Sequence, residues 1–320
     1  PESIVLPANT SLIGADSAYQ VLITGDGTSP IVAIAEACVV RRVSIYGGAG
    51  FTGIDIGAAA EVSNSVVYGN DTGIHVSAGG VATLINNTLT FNDVYGLVVE
   101  PGGTIASLQN TIFAFNGTAV MAEVSAVLDA GYNNYHANGT DVAKAGLSPT
   151  DFNADPLFVD AEQGNFHLRA TSPGRDAGNP DPRYSDPDGS RNDLGADGGS
   201  FGVEDTAAPR PVITTWPTPP EGQPPLAVTF DGGSSEDEWG IASYTWDFDD
   251  SDGLQPDYEG ISAEAIFNMA GEYRVTLTVA DNSGLSASTS VIVRVGDVPR
   301  VRASADPQAG MQPVEIAFNA

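Results

Sequence analysis

The chain has 320 residues, 42% of them hydrophobic, with 12 Lys+Arg against 41 Asp+Glu and a formal net charge of −29. Such a charge argues against nucleic acid or anionic membrane as a partner, because phosphate binding needs clustered Lys and Arg, and it suits a secreted protein, a salty habitat or Ca2+ loading. Cys38 is the one cysteine, so no intramolecular disulfide forms, and no apolar run reaches the ~18 residues of a membrane-spanning helix.

The length predicts two or more domains. The chain opens on Pro1 without Met or a signal peptide, which predicts a processed or trimmed product or a fragment. Residues 1–40 read as short β segments, Ser3–Leu6, Ser11–Ile13, Gln20–Ile23 and Ile31–Ile34, separated by Asn9, Gly14, Gly25–Gly27 and Pro30. No window has sustained helical periodicity.

From Val62 to Asn133 asparagine recurs at Asn64, Asn87, Asn110 and Asn133, a constant interval of 23 residues. The same small pattern surrounds each: Val62-Ser-Asn64-Ser-Val66, Ile85-Asn-Asn87-Thr-Leu89, Leu108-Gln-Asn110-Thr-Ile112. Gly73, Gly96 and Ala119 follow at the same interval. A fixed period in the low twenties with three short strands per repeat predicts one coil of a parallel β-helix, stacked about 4.8 Å on the next. Strand alternation assigns Val62, Ile85 and Leu108 to one inward column and Val66, Leu89 and Ile112 to a second. Tyr68, Phe91 and Ala114 form a third, and Ile54, Ile74, Leu97 and Val120 a fourth. The ladder Asn64–Asn87–Asn110–Asn133 is expected to stack at a bend, where Asn tolerates the left-handed conformation and bonds to its neighbours above and below.

This organisation resembles the right-handed parallel β-helix of the pectate-lyase-like superfamily. The run Asp155-Pro-Leu-Phe-Val-Asp160, Gly164-Asn-Phe-His-Leu168, Ser172-Pro173, Asp176-Ala-Gly178 and Asp186-Pro-Asp-Gly-Ser-Arg-Asn-Asp193-Leu-Gly195 resembles the C-terminal segment of β-helix proteins with a "choice-of-anchor" domain. Where that pattern has an aromatic after Gly-Ala, Asp197 stands here. The resemblance covers residues 1–203 and implies a bacterial extracellular protein. Residues 204–211 read as a linker. Beyond them, Val228–Phe230, Ser243–Trp246, Tyr273–Val279 and Thr289–Val295 alternate as antiparallel strands do. Tyr244-Thr-Trp-Asp-Phe248 and Ala270-Gly-Glu-Tyr-Arg-Val resemble the two signature strands of PKD domains, an immunoglobulin-like family, over 212–296. Pro219, Gly222, Pro225, Val228 and Phe230 reappear 88 residues later as Pro307, Gly310, Pro313, Ile316 and Phe318, so 297–320 reads as the start of a second PKD-like repeat.

Chemistry is sparse in this sequence. The outward column after the third-strand glycine is Asp55, His75, Val98 and Met121, and Asp55 and His75 are the candidate ligand-binding pair. Resemblance to the β-helix lyases implies carboxylates holding Ca2+ beside a basic residue that abstracts a proton. The repeat assembles no such set; Arg41 and Arg42 lie a coil earlier and Lys144 near the end. Of the outward carboxylates, Asp71 and Asp93 sit beside Asn70 and Asn92 and read as turn residues rather than as a hydrolytic pair. Asp186, Asp188 and Asp193 space hard oxygen ligands around Gly189, like half of a Ca2+ loop; an Asp-rich capping loop is the alternative. In the PKD-like part, Asp247, Asp249, Asp250 and Asp252 read as a solvated acidic loop. His75, His136 and His167 share no zinc spacing, and His136 and His167 are expected at the surface. Five N-x-[ST] sites, beginning at Asn9, Asn70, Asn86, Asn116 and Asn138, fall in turns.

The expected fold is therefore all-β: a right-handed parallel β-helix, a linker, one PKD-like sandwich and the start of another. The expected function is non-catalytic, at the cell surface or secreted, in adhesion, carbohydrate contact or surface assembly. The alternatives are a Ca2+-dependent polysaccharide lyase or glycoside hydrolase, and a structural subunit of a filament or surface layer. Ca2+ is the one cofactor foreseen, and polysaccharide or other cell-surface proteins the partners.

Overall fold

A computed structural model describes residues 3–15, 21–25, 30–123, 126–144, 146–203, 205–237, 239–248, 257–296, 304–306 and 317–319. The chain divides into two compact units, Pro1–Thr206 and Ala207–Ala320.

The first unit is a parallel β-solenoid. One face is a six-stranded sheet built from Thr10–Ile13, Cys38–Arg41, Ala59–Ser63, Val81–Ile85, Thr104–Gln109 and Ala130–Gly131, each paired in parallel with the strand one coil away. The other two faces belong to one eleven-stranded sheet, because Ser44–Ile56 and Val66–Val76 run continuously around the corner between them. In later coils that corner breaks the strand, leaving Thr88–Thr90 and Tyr95–Val99, then Ile112–Ala114 and Thr118–Ala122.

The core is a stack of aliphatic columns. Val40, Val62, Leu84 and Leu108 form one; Ile45, Val67, Leu89, Phe113 and Tyr135 form another; Ile54, Ile74, Leu97 and Val120 form a third, in the register expected. Phe113 and Tyr135 stack with rings 5.3 Å apart and 5° from parallel. Identical faces one strand spacing apart bury each other's apolar surface, which a single coil has no means of doing.

Register departs from the sequence expectation at the first two columns. Leu84, not Ile85, lies between Val62 and Leu108, and the inward residues after the bend are Val67, Leu89 and Phe113. Val66 and Ile112 point out of the coil, as does Thr88 in the place expected for Leu89. Nor does Phe91 share a column with Tyr68 and Ala114; Thr90 does. The cause is that the 23-residue interval is an average. The coil from Val62 to Leu84 takes 22 residues and the next, from Leu84 to Leu108, takes 24. One extra residue enters between Thr90 and Tyr95, and another at Ala106, where the ladder slips between Ile105 and Ser107. A shift of one residue exchanges the two faces of a strand.

Glycine has a steric task at the corner before the third face. A Cβ on Gly53 would come 2.7 Å from Gly73 O, one on Gly73 2.6 Å from Gly96 O, and one on Gly96 2.8 Å from Ala119 O. The coils approach here more closely than any other side chain permits.

Residues 152–203 fold back over the solenoid. Phe158–Asp160 and Asn165–Leu168 form an antiparallel pair. Phe158, Phe166, Leu168, Leu194 and Ala196 pack against Val66, Ile112 and Ala114, the outward residues of the second face. That face thus has two cores, one inside the coil and one beneath this cap.

The second unit is a β-sandwich. Three strands, Thr214–Trp216, Leu226–Asp231 and Ser262–Phe267, oppose five, Glu221–Gly222, Ser286–Val295, Gly271–Asp281, Ile241–Asp247 and Tyr258–Glu259. Phe230, Trp246, Val275, Leu277, Val279 and Val293 fill its core, and the indole of Trp246 donates to Gly260 O at 2.9 Å. Within 297–320, Ser304–Asp306 pairs antiparallel with Ala317–Asn319. The remainder of that expected repeat, and Asp249, Asp250 and Asp252, lie outside the described residues.

Candidate functional site

The asparagines expected to form one ladder divide between two. Arg42, Asn64, Asn86, Asn110 and Tyr132 occupy the left-handed position at the first bend, with φ from 47° to 57°. Their neighbours Ser65, Asn87, Thr111 and Asn133 form the second ladder. Ser65 N donates to Asn87 Oδ1 at 3.2 Å, and Thr111 N to Asn133 Oδ1 at 2.9 Å. The amides of Asn87 and Asn133 donate to Val62 O and Leu108 O, saturating carbonyls that the bend frees. A third, uninterrupted ladder, Asn70–Asn92–Asn116–Asn138, sits at the next corner. The amide oxygens of Asn92, Asn116 and Asn138 accept from the backbone N–H of the asparagine one coil before, at 3.0–3.2 Å. Asn70 and Asn92 are therefore buried rungs. The amide nitrogens of these asparagines are committed to the scaffold.

The left-handed column has a second task, holding the cap. Asn64 Nδ2 donates to Ala196 O and Gly198 O; Asn86 Nδ2 donates to Asn192 Oδ1 and Asp193 O; Asn110 Oδ1 accepts from Asn179 N at 2.7 Å. Asp186, Asp188 and Asp193 belong to this junction. Asp186 accepts from the backbone N–H groups of Asp193 and Gly199, Asp193 from that of Asp176, and Asp188 from that of Ser190. Among the described residues these three carboxylates do not gather into one metal-sized group. Burial, reinforced by the charge of Asp193, pushes the Asp186 carboxyl up to about 7, and burial raises Asp193 to about 6. Bonding to Ser190 holds exposed Asp188 below the usual carboxylate range.

His167 is buried, contrary to expectation, with Nδ1 2.9 Å from Asp197 Oδ1. Asp197 also accepts from Leu168 N at 3.0 Å. A carboxylate suits a position elsewhere aromatic because its partners are a buried imidazole and a backbone donor.

The outward column Asp55–His75–Val98–Met121 has the expected register, and Glu100 approaches it from the coil that carries Val98. His75 Nδ1 lies 2.8 Å from Asp55 Oδ1, and its Nε2 lies 3.2 Å from Glu100 Oε1. Ser77 Oγ donates to Asp55 Oδ1 at 2.8 Å. Carboxylates from the two neighbouring coils thus flank the imidazole, one on each side. Val98 and Met121 continue the column.

The concave surface lies elsewhere, on the outer side of the six-stranded sheet. A broad depression of about 480 Å³ runs over Ser11, Val39, Glu61 and Thr83, bordered by Asn9, Ala59 and Val81. Its short side chains leave room above the sheet. Glu61 also lines an adjoining cavity of about 200 Å³, walled by Arg41, Ser63, Arg183, Tyr184, Ser200 and Phe201, with Asn64 and Asn86 among its lining. Arg41 donates through Nη2 to Glu61 at 2.6 Å and through Nε to Ser63 Oγ at 3.0 Å, and its guanidinium lies 3.6 Å over the Phe201 ring. Arg183 is clamped by Asp181 at 2.8 Å and lies 5.6 Å from the Tyr184 ring centre. Sequence reasoning missed this site. Its one sequence signal is the scarcity of cations, which makes Arg41 and Pro182-Arg183-Tyr184 conspicuous; their meeting depends on the cap folding back across some 140 positions.

In the second unit, Asp237 and Asp281 each offer a carboxylate oxygen within 4.8 Å of the other. Asp281 is 2% exposed; one oxygen accepts from Ser283 N and Leu285 N, and Oδ2 has no hydrogen-bond partner among the described residues.

Residues 208–295 match the PKD domain family. The sandwich of the second unit is that domain. Its structural relatives include the PKD1 domain of Vibrio anguillarum Epp (27% identical, 28% of this chain and 96% of that one, TM-score 0.23) and the PKD1 domain of the Vibrio cholerae metalloprotease PrtV (29% identical, 28% and 98%, TM-score 0.23). A structure of carbohydrate-binding modules from the β-sandwich superfamily is also similar (29% identical, 32% of this chain and 40% of that one, TM-score 0.25). No curated protein matches the chain. PKD domains are typical of extracellular proteins, and among the described residues no helix is long and apolar enough to cross a membrane.

Proposed function

We propose that the chain is a non-catalytic, extracellular carbohydrate-contacting protein. On this reading the solenoid supplies a rigid binding face and the PKD domain is an accessory module. The observation that carries it is the continuous concave surface on the six-stranded sheet, where the open depression and the aromatic-walled cavity share Glu61. Ser11, Thr83 and Glu61 offer the hydroxyl and carboxylate partners that sugar hydroxyls need, and shallow grooves suit chains rather than compact ligands. The asparagine ladders are spoken for structurally, and His75 is flanked by Asp55 and Glu100, which supports placing the contact surface elsewhere.

Affinity electrophoresis through gels containing soluble polysaccharides tests this. Retardation by at least one neutral polymer, abolished by Thr83→Trp and retained by His75→Ala, is the expected result. Retardation lost with His75→Ala and kept with Thr83→Trp moves the site to the Asp55–His75 column. Appearance of unsaturated products from a uronate polymer replaces the reading with the lyase alternative. A hard divalent cation at Asp237 and Asp281 is part of the proposal: added Ca2+ should raise the melting temperature of the native chain and leave that of Asp281→Asn unchanged.

A further inference from the structure

Twelve cationic side chains serve 320 residues, and two of them line one cavity of about 200 Å³. Each guanidinium has carboxylate and aromatic neighbours. Arg41 is 17% exposed and held by Glu61, Ser63 and the face of Phe201; Arg183 is held by Asp181 beside Tyr184. The protein bonds made by Arg41 use Nε and Nη2, and those made by Arg183 use its backbone N–H, Nε and Nη2. Each fork thus retains a terminal nitrogen for which the described residues supply no partner. Two guanidinium donors, the confined Arg41 and the exposed Arg183, together with two aromatic rings around a cavity this small suit an anion carried on a ring.

We infer that this cavity binds one carboxylated sugar at the end or branch of an otherwise neutral glycan. The carboxylate is taken by the free terminal nitrogens of Arg41 and Arg183, and the sugar ring lies against Phe201 and Tyr184. The limit to a single acidic residue follows from charge and size. A net charge of −29 repels a polyanion over its whole length, and the cavity lies below the ~300–1,000 Å³ of pockets that take larger ligands. The depression that continues past Glu61 leaves room for neutral residues, so the inference rests on the carbohydrate reading and adds an end-group preference to it.

Calorimetric titration of the whole chain with glucuronate, glucose and inorganic sulfate tests the assignment. Glucuronate is expected to bind at least tenfold more tightly than either of the others. Arg183→Ala and Phe201→Ala should each weaken it at least tenfold, with an unchanged melting temperature showing that the fold is kept; Arg183 is 76% exposed and Phe201 45%. Arg183→Lys should restore little, because an ammonium lacks the planar fork. No binding of glucuronate, equal binding of glucose or sulfate, or unchanged binding by both alanine variants overturns the inference. If retardation by a neutral polysaccharide persists in those cases, the groove reading stands and the end-group assignment alone falls.

Discussion

Asn87 shows how a residue conspicuous in the sequence becomes scaffolding. It is fully buried, donates to Val62 O at 2.8 Å and accepts from Ser65 N at 3.2 Å. Asn87→Ala strands two buried backbone groups and should cost about 1–3 kcal/mol. Asn92→Ala at the neighbouring ladder should cost a similar amount, both read from chemical denaturation. Polysaccharide retardation should be unchanged in either variant. At Gly73 the effect is steric: a methyl group 2.6 Å from Gly96 O forces the coils apart, and Gly73→Ala should lose about 1–3 kcal/mol by overpacking. A loss within error would mean that the corner is softer than its spacing implies. That polar residues would occupy the bends was legible at this scale, since Asn is among the few side chains at ease there. Which Asn bonds to which was not, because Asn86 and Asn87 are adjacent and a one-residue slip exchanges their duties.

The cap is the element whose behaviour with pH the structure specifies. Asp186 and Asp193 hold their protons up to about 7 and 6 in the folded chain, against an ordinary value of 3.8. Between those limits the folded state binds more protons than the unfolded one, so stability falls as pH rises through the window. The melting temperature should be higher near about pH 5 than near about pH 8, and Asp186→Asn should flatten the difference. A melting temperature that climbs with pH in this range, or one indifferent to Asp186→Asn, contradicts the assignment. The same element shows the limit of reading elements from sequence. The repeat, its three strands and the stacked coils were visible because each contact recurs at nearly the same separation. The cap's contacts, such as Asn86 to Asn192 and Asn64 to Gly198, join unrelated segments and leave no periodic trace. The outward-pointing Val66 and Ile112 look like core residues in the sequence, and they are, but of the second core beneath the cap.

For the whole molecule, periodicity sufficed for a solenoid and strand alternation for a sandwich after it, because both folds write their core into short strands; the PKD reading came from the resemblance of Tyr244–Phe248 and the strand from Ala270 to that family's signature strands. They did not disclose the contact surface. The depression on the six-stranded sheet exists because Ser11, Ala59 and Thr83 are small, and small side chains carry no motif. The cavity exists because the cap brings Arg183, Tyr184 and Phe201 to Arg41. Hydrogen–deuterium exchange of the full chain, with and without a polysaccharide that retards it, tests the central claim most directly. Protection is predicted at residues 9–11, 37–39, 59–61, 81–83 and 199–201. Protection confined to the strands bearing Asp55, His75 and Met121, or to the PKD domain, would contradict it.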